Sequence, residues 1–154
     1  MATDDELRAQ QHEAERAETA PWTDYPPTPR WYPPSVGLGA AAMTAAFTLL
    51  DGAAWKVAVI ASLVVIELGF LAWYRRYRGT MPTGLLGSMH SEIAAAARRF
   101  LGWLVAIAAV VVAAALLAPG WLAPVLALLA VTPLVTHYET TYAAAAAATR
   151  ARLT

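Results

Sequence analysis

The chain has 154 residues, of which 58% are hydrophobic and only 14% are charged, and its formal net charge is zero. Ordinary soluble domains carry about 25% charged residues, so the charged fraction is low. A net charge of zero gives no indication of a nucleic-acid partner. The absence of cysteine excludes disulfides, thiolate metal sites and cysteine catalysis.

Residues 1–30 form an acidic, polar tail that we expect to be cytoplasmic and largely disordered. Residues 3–6 (TDDE) have the spacing of a capping box, which predicts a short helix over about residues 4–18. This stretch has too few apolar side chains to hold a core, so fraying is expected. The proline-rich residues 21–34 then favour a stiff linker into the membrane, and binding to an aromatic groove is the alternative.

Four apolar blocks follow, at residues 33–50, 53–74, 99–118 and 121–142. Each block reaches the roughly 20 residues that cross a bilayer once its aromatic ends are counted. A turn signal separates the first block from the second, at Asp51-Gly52, and another separates the third block from the fourth, at Pro119-Gly120. The sequence therefore predicts an all-α, polytopic membrane protein, with residues 31–142 forming four transmembrane helices arranged as two hairpins.

Arginine placement orients the predicted hairpins. The arginines that border or occupy the loop 75–98 are Arg75, Arg76, Arg78, Arg98 and Arg99, and the alanine-rich helical tail 143–154 adds Arg150 and Arg152. The opposite side has only Lys56. The positive-inside rule therefore predicts cytoplasmic termini, in a bacterial inner (plasma) membrane. The loop arginines are also candidates for contact with lipid head groups, although topology alone accounts for them.

Small side chains recur along the predicted spans and favour close packing, because dispersion contacts replace the hydrophobic drive between helices in lipid. The helix-packing candidates are Gly37 and Ala41 in the first span, Ala58, Ser62 and Gly69 in the second, and Gly102, Ala106 and Ala109 in the third. In the second span these residues share one helical face, so tight packing of the four helices through such faces is expected.

Glu67 lies inside the apolar stretch of the second span, nearly opposite its small residues. It stands about 9 Å below the cytoplasmic boundary marked by Trp73, at the helical rise per residue. A bare carboxylate is costly at that depth. Three alternatives stay open: it pairs with a group on another span, it faces a second protomer, or it reaches the interface through thinned lipid.

His137, in the fourth span, is the predicted internal partner of Glu67. Counting from the outer turns places the two residues at similar depth, where glutamate and histidine can share a proton. The alternative is an interfacial histidine flanked by Tyr138 and Glu139. Because Glu67 points away from the small residues of its own helix, we expect its contact to lie outside the first hairpin.

The sequence carries no recognisable catalytic or metal-binding motif. No two of the three histidines have metal-ligand spacing, and no P-loop, dinucleotide-binding fingerprint or nucleophile elbow occurs. We therefore expect no metal, no cofactor and no enzymatic activity.

Two stretches, PRWYPPSVGLGAA at residues 29–41 and AWYRRYRGTMPTG at residues 72–84, carry a family resemblance. Over residues 29–85 the chain resembles uncharacterised small integral membrane proteins of high-GC actinobacteria. The resemblance implies a membrane location and no catalytic residue. Small multidrug resistance transporters are similar in having four spans and a membrane-embedded glutamate, but in those proteins the glutamate is in the first span.

Two functions are consistent with these features. The first is a non-enzymatic accessory, assembly or regulatory component, whose partners are the lipid bilayer and a membrane protein or a second copy of the chain. The alternative is a small proton-coupled transporter that uses Glu67 as its exchange site.

Reporter fusions test the predicted orientation. Because arginines are retained on the cytoplasmic side, a fluorescent protein fused at residue 154 should fluoresce, and alkaline phosphatase inserted at residues 119–120 should be active. Phosphatase activity from a fusion at residue 154 would contradict the orientation.

Overall fold

In the computed structural model of the chain, the structure describes residues 4–24, 26–78 and 91–152. These residues form five helices: α1 (Asp4–Thr23), α2 (Tyr32–Thr48), α3 (Ala53–Arg78), α4 (Ser91–Leu117) and α5 (Leu122–Arg152). The described residues contain no strand, which confirms the all-α class. Helices α2 to α5 fall on the four apolar blocks, and residues 79–90 of the predicted cytoplasmic loop lie outside the described part of the chain.

Three helices within the described residues are long and apolar enough to cross a membrane, over Ala53–Tyr77, Ile93–Leu117 and Leu122–Arg152. Helix α2, on the first apolar block, has 17 residues and ends at Thr48. Its length is roughly 25 Å at the helical rise, whereas the hydrocarbon core is about 30 Å thick. The Asp51-Gly52 turn ends the block, and Gly52 adopts a positive φ of 89°, which glycine adopts without a steric penalty.

Helix α5 is the central helix of the bundle. It contacts α1, α2 and α4, and its contact with α2 is the most extensive between any two helices of the described chain. Buried residues recur along its whole length: Ala123, Ala127, Val131, Leu134, Val135, Tyr142, Ala146 and Thr149. The sequence grouped α2 with α3 in one hairpin, but α2 packs far more extensively on α5 than on α3.

A glycine allows α2 to approach α5 closely. Gly37 is buried, and a Cβ built on it would overlap Thr132 Oγ1 and lie 3.2 Å from Thr132 Cβ and 3.3 Å from the Leu128 carbonyl oxygen. The Thr132 hydroxyl thus occupies the space that a side chain at position 37 would need. Small residues permit such crossings between helices in membranes.

The two short turns of the bundle lie together at one end. A Cβ built on Gly120 would be 2.9 Å from the Thr48 carbonyl oxygen and 3.3 Å from Leu49 Cδ2, so the α4–α5 turn packs on the end of α2. Lys56 Nζ donates a hydrogen bond to the Phe47 carbonyl oxygen at 3.1 Å. This lysine therefore satisfies a carbonyl of the last turn of α2, which the helix itself leaves without a partner.

Helix α1 is longer than predicted and packs against the bundle. The sequence predicts a short, frayed helix ending near residue 18, whereas α1 continues to Thr23 with Pro21 inside it. Trp22 packs on a buried cluster formed by Ile93, Tyr142 and Ala146. Tertiary contact therefore stabilises a helix whose own apolar content is low.

Side chains of α5 satisfy the carbonyl groups at the end of α1. The last turn of α1 has no basic residue of its own. Tyr142 Oη donates to the Trp22 carbonyl oxygen at 3.1 Å, and the Arg150 guanidinium donates to the Thr23 carbonyl oxygen. Arg150 Nε also lies 3.2 Å from a carboxylate oxygen of Asp24. A cation at a helix C-terminus is favourable, so α5 supplies the cap that α1 lacks.

Substituting Gly37 tests the α2–α5 crossing. Gly37→Ala should lower the free energy of unfolding by about 1–3 kcal/mol, the usual effect of overpacking, because the new Cβ overlaps Thr132. Gly39→Ala is the matched control, since a Cβ there meets no atom within 4 Å and alanine has the higher helix propensity. Denaturant titration of the purified protein in detergent, followed by circular dichroism, measures both.

The double variant Gly37→Ala/Thr132→Ala should recover part of the lost stability, because it removes the hydroxyl that the new Cβ meets. Equal stability of Gly37→Ala and Gly39→Ala would contradict the proposed close approach.

Candidate functional site

The aromatic start of α2 determines which face of α3 packs on it. The Tyr32 ring stacks on the rings of Phe70 and Tyr74, with both centroid distances at 5.5 Å. Trp31 contacts Phe70 at 6.0 Å and Trp73 at 5.2 Å between ring centroids. Each such pair contributes about 0.5–1.5 kcal/mol beyond the burial of its area. The bulky, aromatic face of α3 therefore faces α2.

This orientation leaves the small-residue face of α3, formed by Ala58, Ser62 and Gly69, exposed. A Cβ built on Gly69 would meet no atom within 4 Å. The sequence predicts that this face packs against another helix, but within the described chain the aromatic rings bring the other side of α3 onto α2. Packing of this face among the four helices is therefore not observed within the described chain.

The other helix-packing candidates divide between α2 and α4. Gly37 is buried and Ala41 is half-buried on α2, whereas Gly102, Ala106 and Ala109 are exposed on α4. Position 102 has open space around it. Among these candidates, only those on α2 take part in packing within the described chain, whereas Gly102, Ala106 and Ala109 of α4 face outward.

Glu67 lines a groove of about 510 Å³ between α2 and α3, here called the Glu67 groove. Trp31, Tyr32 and Phe70 line it together with apolar residues and Ser35. The Glu67 side chain is exposed, and within residues 4–24, 26–78 and 91–152 no hydrogen bond or ion pair engages its carboxylate. The groove therefore combines an unpaired carboxylate with three aromatic rings.

His137 lines a separate groove of about 360 Å³ between α4 and α5, here called the His137 groove. No residue lines both grooves, and no hydrogen bond joins Glu67 to His137 in the part of the chain that the structure describes. The structure does not bring the two residues together, because α3 packs on α2 whereas His137 faces α4. Residue counting placed Glu67 and His137 at similar depth, but depth does not determine how each helix is rotated about its axis.

The loop arginines lie at the ends of α3 and α4. Arg75 and Arg76 are exposed on α3, and Arg98 and Arg99 are exposed on α4, while Arg78 is the last residue of α3. Arg99 lines the His137 groove, and the adjacent Arg98 does not. The charge of this region is evident from the sequence, but the position of Arg99 in a groove is not, because it depends on the packing of α4 on α5.

No group of three histidine, aspartate or glutamate side chains in the described ranges is arranged to hold a metal ion. No protein-family model, curated protein or solved structure matches the chain. Its function therefore has to be inferred from its own residues and their geometry.

Proposed function

We propose that the chain is a non-enzymatic accessory, assembly or regulatory component of a membrane system, which binds another membrane protein through α3. In this proposal α2 to α5 all cross a bacterial inner membrane, as two hairpins with cytoplasmic termini. The three long apolar helices support a membrane location. The position of both short turns at one end of the bundle, away from the arginines, supports the orientation.

Helix α2 is the shortest of the four proposed spans. Trp31 and Leu50 extend its apolar block to the roughly 20 residues that a span requires, and a short span is accommodated by local thinning of the bilayer. Extensive packing on α5 stabilises this helix in the bundle.

The observation that carries the proposal is the unpaired carboxylate of Glu67 on an exposed part of α3. At the centre of a transmembrane helix a charged side chain costs about 2.5–3.5 kcal/mol on insertion scales. A donor or a cation from a neighbouring protein, placed in the Glu67 groove, would offset that cost. Because such a residue must be paired, wet or protonated in lipid, its position on an uncovered helix favours a contact between proteins.

The uncovered surface of α3 agrees with this assignment. Only 6% of the most apolar stretch of this helix is buried within the described chain. The small-residue face lies on the other side of α3 from Glu67, so a neighbouring helix can approach it closely. A partner assembly thus has two distinct surfaces on α3 to contact.

Proton-coupled transport of an organic cation is the second candidate, and the composition of the Glu67 groove favours it. Aromatic rings such as that of Trp31, which lines the groove, attract cations, and a carboxylate can alternate between a proton and a bound cation. The volume of about 510 Å³ lies within the range of small-molecule sites.

Glu67→Gln tests both functions, because it keeps the shape of the side chain and removes its charge and titration. We expect the variant to fold as the wild type does but to lose most of the protein that co-purifies with the chain in mild detergent, as measured by quantitative mass spectrometry. Leu68→Gln is the matched control, since it places the same amide on an exposed position of α3 that does not line the Glu67 groove.

Uptake of a fluorescent organic cation into proteoliposomes under a pH gradient separates the two candidates. Uptake that Glu67→Gln abolishes would favour the transporter, whereas loss of the co-purifying protein without any uptake by the wild type would favour the assembly component. If Glu67→Leu raised the melting temperature and left both readouts unchanged, Glu67 would be a lipid-facing residue with neither function.

A further inference from the structure

The His137 groove has one polar end and one apolar end. Arg99, Phe100 and Trp103 line it from α4, and Leu134, His137 and Thr141 line it from α5. The Phe100 and Tyr138 rings pack across the two helices with a centroid distance of 4.4 Å, which fixes the walls relative to each other. The groove is therefore formed without any ligand.

The polar end of the His137 groove carries only positive charge. Arg99 is the only lining residue with a full formal charge, and no carboxylate lines the groove. Glu139, which is close in sequence, accepts a hydrogen bond from the Thr28 hydroxyl instead. Within the described residues no ion pair engages the Arg99 guanidinium, so its positive charge remains available to an anion.

The depth of the groove matches the head-group region of a bilayer. At the helical rise, Arg99 lies roughly 28 Å along α4 from the turn at Ala118, and His137 lies roughly 24 Å along α5 from Trp121. The hydrocarbon core is about 30 Å thick, so Arg99 reaches the boundary opposite the turns. Trp103 and Leu134 lie about one turn deeper, at the level of the acyl chains.

We propose that the His137 groove binds an anionic phospholipid, with the Arg99 guanidinium on the phosphate and an acyl chain along Trp103 and Leu134. The planar guanidinium matches two phosphate oxygens at once, and a ring nitrogen of His137 supplies a second donor. Basic sites between membrane helices on the cytoplasmic side recognise anionic head groups in this way. The inference rests on the proposed membrane orientation, but it names a ligand site that is separate from Glu67.

Lipid titration of the purified full-length chain tests the proposal, with native mass spectrometry as the readout. Phosphatidylglycerol is expected to bind about five-fold more tightly than phosphatidylcholine with the same acyl chains, since Arg99 is the one fully charged residue that lines the groove and one basic residue has an effect of that size. Arg99→Gln should weaken phosphatidylglycerol binding about five-fold, the effect of one basic residue near the surface, and Arg99→Lys should lose less.

Arg98→Gln is the matched control, because it removes the same charge from the neighbouring position, which does not line the groove. It should change the affinity by less than about two-fold, because Arg98 does not line the groove and so makes no charge-assisted hydrogen bond to the phosphate. If Arg99→Gln does not fold, His137→Leu, at an exposed position of the other wall, takes its place and should also weaken binding of phosphatidylglycerol selectively.

Three results would overturn the site. These are equal affinity for the two lipids, equal losses in the Arg98 and Arg99 variants, and displacement of the bound lipid by millimolar inorganic phosphate, which would identify a free-phosphate site. Failure of this test leaves the co-purification result for Glu67→Gln unchanged, so the two proposals are separable.

Discussion

The close crossing of α2 and α5 at Gly37 is the constraint on which the rest of the bundle depends. Because the Thr132 hydroxyl occupies the space of a missing side chain, the two backbones pack closely and α5 becomes the central helix. Helix α4 packs on α5 as well, whereas α3 packs on α2. The helix that carries Glu67 is therefore at the periphery, and this position makes its carboxylate available to a neighbouring molecule.

The same central helix connects the apolar bundle to the polar end of the molecule. Helix α5 has 31 residues, or roughly 46 Å at the helical rise, which exceeds a hydrocarbon core of about 30 Å. Its last turns carry Tyr142 and Arg150, which hold the end of α1. One continuous helix thus fixes the position of α1 relative to the bundle and forms one wall of the His137 groove.

The existence of α2 to α5 and the turn within each pair could be predicted from the sequence, because they depend on local signals. Apolar runs indicated α2 to α5, and the turns at Asp51-Gly52 and Pro119-Gly120 indicated where the helices of each pair are divided. The extent of α1 could not be predicted in this way, since the packing of Trp22 on the cluster of Ile93, Tyr142 and Ala146 joins residues far apart in the chain.

The candidate site was predictable only in part. A carboxylate in an apolar run marks Glu67 as a residue of interest, whatever the packing. Its partner could not be predicted, because residue counting gives depth but not the rotation of a helix, and the stacking of Tyr32 on Phe70 and Tyr74 determines that rotation. For the same reason, the sequence did not distinguish Gly37 from Gly69 or Gly102, because small residues are abundant throughout the chain. Gly37 is buried at a crossing, whereas Gly69 and Gly102 have open space around them.

Disulfide formation between positions 37 and 132 tests the central role of α5 most directly, because the chain contains no other cysteine. A Cβ at position 37 lies 3.2 Å from Thr132 Cβ, near the roughly 3.5–4.5 Å of disulfides. In native membranes the double variant Gly37→Cys/Thr132→Cys should form an intramolecular disulfide on mild oxidation, and Gly39→Cys/Thr132→Cys should not. Free thiols in the first variant, or equal cross-linking in both, would contradict the packing of α2 on α5.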